Sequence, residues 1–471
     1  MNNKKLKGDE HMTNNYQAIA RDYSNQYMED LIDYLRYESV SAQGRQIPET
    51  ATFVQNVITK AGGQAEILDD LGGNPVVYGY FPAGKEGNSN KTLLFYNHYD
   101  VQPEDPLEEW QTEPFEPVIK DGQLFARGVS DNKANFMSRI VAIRALQDTE
   151  GGLPCNIKFF VEGEEEIGSP NIDKYLSGYA DKFKADVCIW EAGSKDSEER
   201  MVISAGVKGI AYFEATVESA DIDIHSSQAA VVDNAAWRLV HALSTLRNVQ
   251  NEITVDGFYD LMDEPTDVER DSVQAFPYNE AATIDTYGLK HPLITDNLNY
   301  SAQEALILYP TMTISGLLSG YTGPGTKTVL PRKAMAKIDI RLVPGFEPEN
   351  VHQVLRQHFD THGFTDVHLE LLTGVKPFRT DISDPFVEEV MTSAEKIYGE
   401  NQVILELNSA GTGPMSGFGE FLNVPILGAG TGWVKSGAHA PNENIRIHDY
   451  YQGVAHIMEL LKAFGDNKEN S

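Results

Sequence analysis

The sequence predicts an α/β protein with a mostly parallel sheet, interrupted by an inserted α+β domain. Three observations lead there. Short apolar runs alternate with helical stretches over the first two hundred residues, the pattern of strands joined by crossover helices. The texture changes after Ser204, and the first pattern returns beyond Thr380. At 471 residues the chain is also too long for one ordinary core. Residues 1–206 and 375–471 are therefore expected to form one domain, and 207–374 the insertion.

Taken in order, the polar first fifteen residues are expected to be frayed. A helical pattern runs from Tyr16 to about Glu38. A second runs from Ile47 to Ala61 and stops at Gly62-Gly63. The runs Pro75–Phe81, Thr92–Tyr96, Asn156–Val161 and Val187–Trp190 read as strands, with helical stretches at Asn135–Gln147 and Asn171–Leu176 between them. In the insertion, Gly209–Glu218, Thr311–Ser315, Lys333–Leu342 and Val367–Leu372 read as strands, and Asn234–Leu246 and Glu349–His362 as helices. That β-α-β-β-α-β order resembles a ferredoxin-like module. The acidic, aromatic stretch from Val255 to Glu304 has no readable pattern. A helix at Pro385–Tyr398, a strand at Val424–Leu427 and a helix at Tyr450–Phe464 close the first domain.

Composition narrows the function. The net charge of −32, from 38 basic against 70 acidic residues, argues against a nucleic-acid partner, because such affinity rests on neutralising phosphates. Cys155 and Cys188 lie in apolar runs, as reduced buried thiols in a reducing compartment would. The polar N-terminus has no secretory pattern, and no run of eighteen apolar residues suggests a membrane span. A cytoplasmic location is expected.

Five apolar runs each end in, or lead into, a metal-type side chain: His98 with Asp100, Asp131, Glu165 with Glu166, Glu191, and His439. Ligands of open α/β sheets gather beyond the carboxyl ends of the strands. His98 follows such a strand, and Asp100 is placed to orient its ring. Singly, these residues have plain readings: a structural histidine, or Asp131 as a helix N-cap. The crowd of Glu162, Glu164, Glu165 and Glu166 would repel itself unless a cation compensates or most face water, as Glu164 is expected to do. Glu191 ends an apolar run, where a lone charge is expensive. Together, carboxylates and imidazoles at several strand ends favour a metal site. A donor set without thiolates suits zinc and tolerates manganese or cobalt.

The stretches NHYDVQP, Trp110 with PFEPVIKDGQLFARGVSDNKA, EGEEEIGS, IDIHSSQAA, TVLPRKAMAKIDIRLVPG and SGAHAPNE run in that order from about residue 92 to 445. They resemble the carboxypeptidase G, carnosinase and aminoacylase family of di-zinc metallopeptidases, nearest its carnosinase-like dipeptidases. The resemblance implies a zinc-exopeptidase-like catalytic domain and an inserted lid and dimerisation domain. It implies that His98, Asp131 and Glu191 hold one metal and Asp131, Glu166 and His439 the other, with Asp131 and a water shared between them. Glu165 would be the general base. His225 would reach across a homodimer to help hold the oxyanion, Arg341 would grip the substrate carboxylate, and Thr412 in Gly411–Met415 would also contact substrate.

Three departures from the family pattern stand out. Asp131-Asn132-Lys133-Ala134 replaces a common Asp-Asp-Lys-Gly, Ser227 replaces a glycine, and Glu191 stands where dipeptidase branches commonly have Asp. Glu at that position is seen among the deacylase and glutamate-releasing branches. The implied function is a metal-dependent exopeptidase acting on dipeptides or short peptides with a free carboxylate. An N-acyl-amino-acid deacylase is the alternative within the same chemistry. A non-catalytic binding protein on the same fold would be signalled by loss of Glu165 or a ligand, and all are present.

Overall fold

The computed structural model describes residues 16–275 and 278–466; the expected frayed N-terminus lies outside them. The chain divides into two units. One holds the residues up to Gly206, Thr380–Glu406 and those from Gly417 on; the other holds Val207–Arg379 and Leu407–Ser416.

The first unit is built on a six-stranded sheet in the order Gln64–Leu68, Val76–Phe81, Cys155–Glu162, Asn88–His98, Val187–Trp190 and Ile426–Gly428. The last four strands run parallel, and the first two are antiparallel additions. The strands at the centre are almost continuously buried, as in a sheet covered on both faces. Helix Ala134–Thr149 is buried around most of its circumference, so it lies inside the core and not on its surface. It packs against helix Ile447–Asp466. Cys155 and Cys188 are buried and free, as expected. Among the described residues, no helix is long and apolar enough to cross a membrane.

The second unit carries an antiparallel sheet in the order Thr311–Ser319, Lys333–Leu342, Gly209–Glu218 and His368–Val375. Burial alternates along Lys333–Leu342 and Gly209–Glu218. Ala211, Phe213, Ala336, Ile338 and Ile340 thus face a core shared with helices Ala235–Leu243 and Pro348–Thr361, the period-two signature of a half-buried sheet. Asn234 caps the first helix through the backbone N–H groups of Ala236 and Trp237. The acidic stretch without readable pattern contains helices Asp267–Ala275 and Glu280–Tyr287.

Residues 375–379 and Leu407–Ser416, expected in the first domain, group with the second unit. The physical reason is hydrogen bonding. The N–H of Lys208 donates to the carbonyls of Ser409 and Gly411, and the Arg379 guanidinium grips Asn408 Oδ1.

Candidate active site

Three neighbouring parallel strands deliver the expected ligands to one edge of the first unit's sheet. His98 is the last residue of its strand, Glu191 follows Trp190 directly, and Glu165 and Glu166 stand in a short turn after Glu162. Asp131 sits in the tight turn before helix Ala134–Thr149, and His439 in the loop before the closing helix. The Asp131 carboxylate is the common element. Its Oδ1 lies 2.9 Å from His98 Nε2 and its Oδ2 3.0 Å from His439 Nε2. Glu191 Oε2 approaches His98 Nε2 at 3.4 Å, and Glu166 Oε2 approaches His439 Nε2 at 3.1 Å. Donor atoms of His98, Asp131 and Glu166 all lie within 4.8 Å of one another. The N-cap reading of Asp131 is not what is found: its side chain faces the two imidazoles and caps no helix.

The His98 ring is aimed by Asp100. His98 Nδ1 lies 3.0 Å from the Asp100 carbonyl oxygen, which can only accept, so Nδ1 carries a proton. Its Nε2 then points at the carboxylates of Asp131 and Glu191. Two acceptors facing a lone pair repel, so either a second proton or a metal cation must occupy that direction. At His439 the Nε2 atom likewise faces two carboxylates, those of Asp131 and Glu166. Titration behaviour reflects this. Burial pulls His98 down, but Glu191, Asp100 and Asp131 more than reverse it, and the ring stands well above its ordinary value. Hydrogen bonds to Asp131 and Glu166 push His439 up to about 10. Burial works against Asp131, yet its bonds to His439 and His98 hold it below the usual carboxylate range.

Glu191 is pushed well above the carboxylate range by burial, and its buried Oε2 has no hydrogen-bond partner. Glu165 is pushed up to about 8, first by burial, with His98 opposing and Asp131 and Glu166 adding repulsion. An orphaned buried carboxylate oxygen, crowded acids and imidazoles turned toward them are what divalent cations would relieve. The donor set, with two imidazoles and three carboxylates, fits two such ions.

A further layer of residues was not singled out from the sequence. Glu443 is buried and accepts from Arg127 Nη1 at 2.9 Å and from the N–H groups of Gly128, Ser130 and Asp131 at 2.8, 2.8 and 3.0 Å. It thereby fastens the His439 loop to the Asp131 turn. Its signal was a lone carboxylate four residues past His439 in an otherwise uncharged stretch. Asn132 donates to the Glu191 carbonyl at 3.0 Å, and Gln102 donates to Glu166 Oε2 at 2.8 Å. Beneath the site, buried Arg139 donates to the carbonyls of Tyr96, Trp190 and Ala429 and to Asn97 Oδ1.

Glu164, expected to face water, is buried and accepts from the N–H of Asn74 and from Asn171 Nδ2. Those neutral donors explain how a charge is tolerated there. Glu162 is also buried, accepting from the hydroxyls of Tyr96 and Ser169 at 2.7 and 2.9 Å. Burial pushes it up to about 8.

In the second unit, Arg341 Nη1 donates to Thr412 Oγ1 at 2.9 Å, and its Nε to Asp339 Oδ1 at 3.2 Å. Arg341 and Thr412 are thus brought together. His225 is exposed on the two-residue strand Ile224–His225, where its Nδ1 lies 2.9 Å from Ser227 Oγ.

Comparison with known proteins assigns the chain to a family. The model of the peptidase family M20/M25/M40 matches residues 94–463. A Cys-Gly metallodipeptidase of Schizosaccharomyces pombe is 30% identical over 431 residues, covering 87% of this chain and 88% of the relative. A Beta-Ala-His dipeptidase of Rattus norvegicus is 26% identical, covering 91% and 84%. Among solved structures, an M20 family metallo-carboxypeptidase from Sulfolobus solfataricus superposes with a TM-score of 0.84 at 38% identity, covering 93% of this chain and 99% of that one. A dipeptidase from Saccharomyces cerevisiae has the same fold, with a TM-score of 0.77 at 22% identity over 98% and 100%. A match across most of the chain, spanning the five ligand-type residues and Glu165, identifies the protein as a metallopeptidase that belongs to peptidase family M20/M25/M40.

Proposed function

We propose that this chain is a cytoplasmic, homodimeric dipeptidase that hydrolyses dipeptides or short peptides bearing a free carboxylate. The observation that carries the reading is the Asp131 carboxylate, each oxygen of which faces a different imidazole. His98, Asp131 and Glu191 would hold one divalent ion, most simply zinc, and Asp131, Glu166 and His439 a second. When bound, such a pair supplies Lewis-acid polarisation of the scissile carbonyl and acidifies water.

The chain's own residues would do the rest. Glu165 would take the proton of the attacking water and pass it to the leaving amine. Asp100 fixes the His98 ring through its carbonyl. The Arg341 guanidinium, already bonded to Thr412, would bind the substrate carboxylate as a bidentate fork. His225 would help hold the oxyanion from the partner subunit.

Metal-stripped protein given zinc, manganese or cobalt should hydrolyse free dipeptides and leave matched N-acetylated dipeptides intact. Release of acetate from the blocked substrates would reassign the chain to N-acyl-amino-acid deacylation. Absence of turnover on either set with every metal would overturn the catalytic reading.

A further inference from the structure

The second unit carries another set of metal-type donors, outside the motifs that carry the family resemblance. His358 and His362 stand four residues apart at the end of helix Pro348–Thr361, where such a pair shares one face. Their rings lie 4.0 Å apart between centroids. Asp256 comes from the opening of the acidic stretch and meets them from outside the helix. Its Oδ2 is 3.4 Å from His358 Nδ1; His362 Nδ1, 3.9 Å from the same oxygen, donates to the His358 carbonyl at 2.9 Å, which leaves Nε2 as the His362 lone pair. One donor atom from each of the three residues lies within 4.8 Å of the others.

The tautomer of His358 is the second observation. Its Nε2 lies 3.2 Å from the Thr245 carbonyl and 3.0 Å from Thr245 Oγ1. The carbonyl can only accept, and the threonine hydroxyl donates its own proton to the Ala242 carbonyl. Both groups therefore accept from His358, so Nε2 bears the proton and the Nδ1 lone pair is turned toward Asp256. A backbone acceptor behind the distal nitrogen is how metal-binding imidazoles are held. Only the Asp256 N–H rests on that lone pair, at a long 3.2 Å.

Two imidazoles and one carboxylate without thiolate select borderline divalent cations over calcium or magnesium. Asp256 and His362 are exposed, which leaves room for water to complete the coordination.

We propose that Asp256, His358 and His362 form a separate mononuclear site for a divalent transition-metal cation of the zinc class. An ion there would tie the start of the acidic stretch to helix Pro348–Thr361. It would act next to Phe258, whose buried ring packs on Phe346.

The test counts metal ions. Full-length protein is stripped, dialysed against buffered zinc and assayed for bound zinc per chain, alongside His362→Ala and Asp256→Asn. Both substitutions fall on exposed side chains, and circular dichroism checks the fold. Wild type is expected to hold one zinc more per chain than either variant, with turnover of the variants at saturating zinc within about twofold of wild type. Equal zinc content in wild type and both variants overturns the site. Because the readout is a difference at residues outside the Asp131 cluster, it stands whether or not the dipeptidase reading holds.

Discussion

Replacing Glu443 by glutamine tests whether the Asp131 turn is held in place before any metal binds. The native carboxylate answers four donors: Arg127 Nη1 and the N–H of Gly128 on Oε2, and the N–H groups of Ser130 and Asp131 on Oε1. Glutamine keeps the shape but turns one oxygen into a donor, so two N–H groups must face an NH₂. It also removes the charge opposite Arg127, whose side chain is only 1% exposed. Breaking one half of a buried ion pair costs about 3–5 kcal/mol. Each buried N–H left without an acceptor costs about 1–3 kcal/mol. The terms overlap, so about 3–5 kcal/mol is the expected loss for the first unit. Urea unfolding of metal-stripped protein, followed by tryptophan fluorescence, measures it. The same variant should bind zinc about 10- to 100-fold more weakly, because partners behind a ligand contribute on that scale. A destabilisation below about 1 kcal/mol together with unchanged zinc affinity would refute the argument that Glu443 fixes the turn.

Other consequences can be checked separately. Glu165→Gln should retain its full metal complement while turnover falls about 10²- to 10⁴-fold; near-normal turnover removes Glu165 as the base. Arg341→Ala should cost about 1.5–3 kcal/mol, or roughly 10- to 150-fold in kcat/KM, on substrates with a free carboxylate. Amidated substrates should change little, and equal losses on both would reject the clamp. The metal-stripped protein should become less stable as pH rises. Glu162 and Glu165 are raised from 4.5 to about 8. His439 is raised from 6.5 to about 10. In each case the folded form binds more protons than the unfolded chain, so the contribution is complete below the unfolded value and lost as pH climbs through the folded one. The thermal midpoint should therefore fall between about pH 5 and 7, below the range in which Lys133 and Lys208, lowered to about 7, act in the opposite sense, and saturating zinc should flatten the slope. A midpoint that rises over that interval contradicts the assignment.

The catalytic edge was legible because its residues interrupt apolar runs. His98, Glu191 and the Glu165-Glu166 pair each stand where a buried strand stops, and a charge there needs a chemical reason. Lys333–Leu342 and Gly209–Glu218 were legible for a similar cause, since alternation along a half-buried strand writes itself into the sequence. What could not be read depended on partners distant in sequence. Glu164 looked like a surface acid because nothing local reveals that Asn74 and Asn171 meet it. Glu443 acts through residues more than three hundred positions away. Leu407–Ser416 carries no marker of the backbone bonds that draw it to Lys208. In the acidic stretch from Val255 to Glu304, helices Asp267–Ala275 and Glu280–Tyr287 bury few of their residues, so they lack the apolar stripe by which a helix is recognised.

Arg139 gives the sheet edge a mechanical property. One guanidinium ties the ends of strands Asn88–His98 and Val187–Trp190 to the segment after Ile426–Gly428, with no carboxylate among its partners. The gap between imidazole and carboxylate above it is thereby set by the backbone. An ion that matches the gap would enter at little cost, whereas a larger one would have to spread strands that share a fastener. Discrimination among divalent ions would then be a matter of stiffness as well as donor chemistry. Loosening the fastener should broaden the range of ions accepted before it alters what any of them does.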